Sequence, residues 1–149
     1  MVRGIYAVAV CFFGGLFLTS TLAFSHCQIP CGIYDDGAKF IELRQHADTI
    51  RKSVSVLLKN KNRKKFDQQL VREVINKENH ANKIQQEVAD YFLAQRIKVG
   101  ENKDRYHNQL VAAHALSVAA MKTKQNATMK EVDSLDRAIE SLHAAYGHK

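Results

Sequence analysis

His26-Cys27-Gln28-Ile29-Pro30-Cys31-Gly32-Ile33-Tyr34 gathers the donors of a redox metal into nine residues. If the chain is cut before His26, one short segment carries a free α-amine, an imidazole, two thiols and a main-chain amide, all within reach of a single ion. The amine and a deprotonated amide next to it close a five-membered chelate. The Cys27 thiolate extends that chelate on the other side, so the three donors arrive in one plane. Cys31 can close the square, and the His26 imidazole can reach an axial position. Tetragonal nitrogen and sulfur sites of this kind suit nickel(II) or copper(II), whereas zinc asks for a tetrahedron that a planar chelating amide does not easily supply. A fifth, axial ligand would stabilise a higher oxidation state.

Two cysteines in an exported chain ordinarily read as a disulfide. Here the loop between Cys27 and Cys31 is tiny, so closing it would stabilise little, and the helix that follows needs no staple. A disulfide also leaves unexplained why His26 stands at the expected N-terminus, why Cys27 follows it at once, and why Pro30 precedes the second cysteine. The metal hook explains all three.

The cut itself is legible. Residues 4–24 contain no charged side chain, Arg3 supplies a positive start, and Ala23-Phe24-Ser25 has the small-x-small pattern that signal peptidases accept. Residues 1–25 are therefore expected to be a cleavable signal peptide, and the mature protein to be exported, periplasmic or extracellular. A retained membrane anchor is the competing reading, because the apolar stretch approaches the roughly 20 residues of a spanning helix. Gly14-Gly15 and Thr19-Ser20-Thr21 weaken it, and no basic cluster follows. Cys11 is apolar filler of the signal.

The remaining residues, 26–149, have the length of one domain with a real core. Loss of Arg3 takes the formal charge from +7 to +6. That balance could suit nucleic acid, but the chain has no Trp and no basic run interleaved with aromatics, so nucleic acid is not an expected partner. The densest basic stretch, Lys59-Asn60-Lys61-Asn62-Arg63-Lys64-Lys65, reads as a solvated turn between helices. A cationic surface also steers a small anion inward.

Behind the hook the pattern is helical throughout. Pro30 is the only proline, and apolar residues recur at gaps of three and four: Phe40, Leu43, Ala47, Ile50, Val54, Leu57; then Phe66, Leu70, Val74, Ala81, Ile84, Val88, Tyr91. Tyr106, Leu110, Ala113, Ser117, Ala120 and Val132, Leu135, Ile139, Leu142, Tyr146 supply two more stripes. Asp36 is expected to cap the first helix, Gly100 to end the second in left-handed geometry, and Thr128 with Glu131 to form a capping box on the last. Short joins make consecutive helices antiparallel, so the fold class is all-α, a four-helix bundle preceded by the hook.

The hook sequence His26-Cys27-x-x-Pro30-Cys31-Gly32-x-Tyr34-Asp35 resembles the N-terminal nickel-binding segment of the nickel-containing superoxide dismutases, and the mature length with four helices resembles that family throughout. The resemblance implies an up-and-down four-helix bundle, a homohexamer, and one nickel ion per subunit, cycling between its two and three states to convert superoxide to dioxygen and hydrogen peroxide. It implies that the ligands are the His26 amine and imidazole, the Cys27 amide and sulfur, and the Cys31 sulfur. It further implies a hook turned by a cis Ile29-Pro30 peptide, Tyr34 at the mouth ordering substrate or water, and Glu42 holding the histidine ring. Gln28 stands where some members have Asp, and Asp36 where some have Pro. No arginine can be placed beside the Glu42-histidine pair, and His80 is the candidate for that place. Tyr91-Phe92 resembles an aromatic pair near the site, although Tyr91 also fits an ordinary core position.

The other histidines have plainer readings. Glu42 and His46 stand one turn apart, as surface pairs do. Glu140-Ser141-Leu142-His143 is a single Glu-x-x-His, and a di-iron bundle needs that motif on two helices. His107, His114 and His148 read as structural or solvent-facing. Two rivals from other classes are an exported nickel or copper carrier that uses the same hook without turnover, and a structural helical protein with a Cys27–Cys31 disulfide.

Overall fold

The computed structural model describes residues 36–63, 65 and 67–147. Among them the regular structure is entirely helical: α1 (Gly37–Lys59), α2 (Gln68–Glu87) running directly into a π-helical segment (Val88–Arg96), α3 (Lys103–Gln125) and α4 (Met129–Tyr146). Each helix exists because one stripe of it is buried. Phe40, Leu43, Ala47, Ile50 and Val54 on α1 are at most 2% exposed, and Val132, Leu135, Ile139 and Leu142 on α4 are fully buried. On α3 the stripe is built of four alanines, Ala112, Ala113, Ala119 and Ala120, around Leu116. α1 packs on α2 and α4, α2 on α3, and α3 on α4, which closes a ring around one core.

The second stripe departs from its expected course. Phe66 lies outside the described residues, and Val74 is exposed together with Val71 and Ile75. Burial on α2 starts at Lys77, whose ammonium donates to the carbonyls of Thr123 and Lys124 at 2.6 and 2.7 Å. A cation on the last carbonyls of α3 satisfies groups that a helix end leaves without partners and sits at the negative end of its dipole. Of the basic stretch after α1, Lys61, Arg63 and Lys65 are exposed, as a solvated turn requires.

The helix ends confirm one expected cap and correct two. Thr128 Oγ1 accepts from the Glu131 amide at 3.4 Å. Asn102 and Asp67 cap α3 and α2 in the same way. Asp36 occupies the N-cap position of α1, but its side chain makes no capping bond. Its carboxylate is taken by Tyr91 and Arg96 instead. Gly100 does not end the second helix: the π segment stops at Arg96, Ile97 turns extended with φ −82° and ψ 106°, and Gly100 lies in the loop beyond. The left-handed glycine is Gly147, at φ 73°, closing α4.

Three aromatic rings close the end of the bundle at which α1 begins. Phe40 and Phe92 stand 5.2 Å apart between centroids, and Tyr146 lies 5.4 Å from Phe92 and 5.8 Å from Phe40. No described helix is long and apolar enough to cross a membrane.

Candidate metal centre

His26, Cys27, Cys31, Pro30 and Tyr34 lie outside the described residues, as do the expected signal peptide and His148. The described structure supplies the platform to which the hook is joined. Its first residue is Asp36, two positions after Tyr34, and the side chains around Asp36 and Glu42 define the surface there.

Asp36 is held from the π segment. Tyr91 Oη donates to Oδ1, and Arg96 donates from Nε and Nη2 to Oδ2 at 3.0 and 2.8 Å. The Asp36 carboxylate is only 10% exposed, so these bonds compensate its desolvation. Burial and the hydrogen bond to Asp36 push the Tyr91 phenol far up, so it remains a donor. Tyr91 and Phe92 are both fully buried, which makes the pair core, with the Tyr91 hydroxyl turned to the Asp36 carboxylate. Burial also pushes the Tyr146 phenol up to about 12, with the Asp36 charge acting in the same direction.

Glu42 projects from α1 and is 45% exposed, yet its carboxylate is held on one side. Lys39 Nζ lies 3.1 Å from Oε2 of Glu42 and 2.8 Å from Oε1 of Glu87, and is itself 10% exposed. Burial works against the Lys39 charge, but the bonds to Glu87 and Glu42 outweigh it and hold the ammonium above its usual value. The same ammonium stands 5.3 Å over the Tyr91 ring, a cation–π contact. The cation beside Glu42 is therefore a lysine of its own helix. Sequence reasoning looked for an arginine and passed over it, although Lys39 lies on the buried stripe one position before Phe40.

His80 approaches Glu42 by way of His46. It meets His46, with the two Nδ1 atoms 2.9 Å apart, and His46 in turn stands with Nε2 3.9 Å from Glu42 Oε1. Burial lowers the pKa of both imidazoles; for His80 the neighbouring His46 adds to the effect, and Lys83 acts in the same direction on both. Two neutral rings fit the observed contact, since one must donate and the other accept.

The remaining candidates are engaged elsewhere. Glu140 accepts from Arg44 Nε and Nη2 at 2.8 and 3.1 Å, and His143 Nδ1 lies 2.9 Å from Arg44 Nη2, so the Glu-x-x-His motif ties α4 to α1. His107 and His114 are exposed. Among the described residues no group of three or more His, Cys, Asp or Glu side chains could hold a metal ion. A cleft of about 380 Å³ beyond the π segment is lined by Arg96, Lys98 and Arg105, with Glu101 its single acid.

Comparison with curated proteins and with solved structures gives no match. A family model described as nickel-containing superoxide dismutase matches residues 21–149, which takes in the hook, the platform and all four helices. The chain thus belongs to the nickel-containing superoxide dismutase family: it is an oxidoreductase that acts on superoxide with a nickel cofactor.

Proposed function

We propose that the nickel is held by the His26 amine and imidazole, the Cys27 amide and thiolate, and the Cys31 thiolate, after removal of residues 1–25 during export. The donor set fits the ion: anionic amide and thiolate donors raise electron density at the metal, and the imidazole favours its oxidised state. When bound, nickel supplies the one-electron couple through which two superoxide ions and two protons become dioxygen and hydrogen peroxide. The chain's own residues do the rest. Glu42 accepts a hydrogen bond from the His26 ring and fixes its direction, Lys39 fixes Glu42, and Tyr34 orders substrate or water at the mouth.

The observation that carries this reading is the state of Glu42, half exposed on α1, with one oxygen held by a buried lysine and the other 3.9 Å from the His46 ring. Part of it stays exposed while Lys39 fixes its direction, so it is placed to accept from a metal-bound histidine, as such partners do. Ten residues separate His26 from Asp36, an extended reach of up to about 33 Å, and Glu42 lies about 9 Å along the helix from Asp36, so the hook has ample length to fold back.

The closed ring of packing supports an up-and-down order of the four helices. Assembly as a homohexamer follows from the family resemblance, and the exposed Val71, Val74 and Ile75 offer an apolar face that assembly would cover. Metal analysis, N-terminal mass and superoxide turnover on the purified protein test the reading together. One nickel per chain, a mature N-terminus at His26 and turnover are expected; a different N-terminus with full activity would overturn the proposed ligand set.

A further inference from the structure

Tyr91 and Arg96 are five residues apart, yet both reach the carboxylate of Asp36. An α-helix does not allow this, because five steps of about 100° leave two side chains roughly 140° apart. In i→i+5 winding the fifth residue returns to stand near the first. The segment Val88–Arg96 is wound in that way, and at its end the Ile97 amide donates to the Phe92 carbonyl at 2.8 Å. Asp36, for its part, gives up the capping bond that its position on α1 would permit. Both elements depart from their ordinary local geometry, and the departures meet at one carboxylate.

We propose that the π segment and Asp36 form a latch that sets the register of the metal hook on the bundle. Asp36 follows Tyr34 by two residues and Cys31 by five, so pinning it to the π segment fixes the point from which the hook folds back. The same network continues to Glu42: the Tyr91 ring that binds Asp36 lies under the Lys39 ammonium, and that ammonium binds Glu42. The anchor of the hook and the carboxylate that orients its histidine are thereby referred to one rigid segment. Arg96, Tyr91 and Asp36 act as positioning residues. The inference rests on the metal site proposed above.

The test uses the nickel-loaded protein and its Asp36→Ala, Arg96→Gln and Tyr91→Phe variants. Helical content should stay at the parent's level. Loss of a supporting partner should speed nickel release to a chelator by about tenfold in Asp36→Ala and Arg96→Gln, the low end of what such partners contribute, with a smaller change in Tyr91→Phe. The electron paramagnetic resonance signal of the oxidised metal should broaden from one species to several, a change that a merely structural tie would not cause. Unchanged release and an unchanged signal in both strong variants would overturn the latch. A second arm does not depend on nickel: chymotryptic cleavage after Tyr34 in the metal-free chain should be about tenfold faster in Asp36→Ala than in the parent, since cleavage follows the open population. If the parent holds no nickel, the metal site fails and this arm alone decides the latch; equal cleavage in parent and variant overturns it.

Discussion

At the scale of single residues, the hook makes the sharpest demands. Replacing Cys27 or Cys31 with Ser removes a thiolate donor and should abolish stable nickel redox chemistry while helical content survives, since both precede α1 in sequence. A fully active Ser variant, measured by superoxide turnover, would exclude the ligand set. Glu42→Gln keeps the shape and loses the charge, and the loss of such a partner typically costs about 10 to 100-fold in affinity or activity. Lys39→Met should reproduce part of that loss by freeing Glu42, whereas a Lys39 that served only helix packing would leave turnover unchanged. His46 and His80 set a pH dependence of a different kind. Burial keeps both below the ordinary value of 6.5, so the unfolded chain binds protons first and stability falls as pH drops below 6.5. Glu42 opposes that shift at His46, and Lys83 reinforces it at both rings. Thermal melting between pH 7 and 5 should show the slope, and a His46→Gln, His80→Gln double variant should flatten it.

At the scale of elements, what the sequence discloses depends on how far away the deciding partner is. α1 and α4 were legible because their stripes, Phe40 to Val54 and Val132 to Leu142, repeat every three or four residues, and burial against neighbours is all that such a stripe needs. The Thr128 cap was legible because its bond is local. Asp36 has the right type and position for a cap as well, but its outcome is decided by residues 55 and 60 positions away. The π winding leaves little trace in apolar spacing, since Val88, Tyr91 and Phe92 suit an α-helix equally; it shows in the Ile97–Phe92 backbone bond and in the shared claim of Tyr91 and Arg96 on Asp36. Of the proposed site, the donor residues rest on the sequence alone, whereas Lys39 as the partner of Glu42 comes only from the structure. Lys77 makes the same point about distance. It falls on the stripe of Ala81 and Ile84, and its partners are the last carbonyls of a helix 46 residues on. Lys77→Ala should strand those carbonyls and cost about 2 kcal/mol, a melting shift on the order of 8 °C, because hydrogen bonds to charged groups contribute about 1.5–3 kcal/mol. A melting temperature within a degree of the parent's would show that water replaces the ammonium at no cost.

At the scale of the whole molecule, the charge balance and the closed ring of helices bear on how the substrate arrives. Superoxide is a small anion, the chain without its first 25 residues carries +6, and the cleft beyond the π segment sets Lys98 and Arg105 beside Glu101, with Arg96 paired to Asp36. Through that pair the cleft adjoins the place where the hook leaves the bundle. A positive field there would raise the encounter rate with an anion, and the effect would weaken with salt as the Debye length falls from about 10 Å at 0.1 M to about 3 Å at 1 M. Turnover at low superoxide should therefore slow as ionic strength rises. Lys98→Glu provides the control, because Lys98 is exposed. It should lower kcat/KM several-fold at low salt, flatten the salt dependence, and leave the melting temperature and nickel content unchanged. A Lys98→Glu variant with the parent's rate and salt slope would place the entrance away from this cleft and leave the net charge, rather than its local concentration, as the source of any steering.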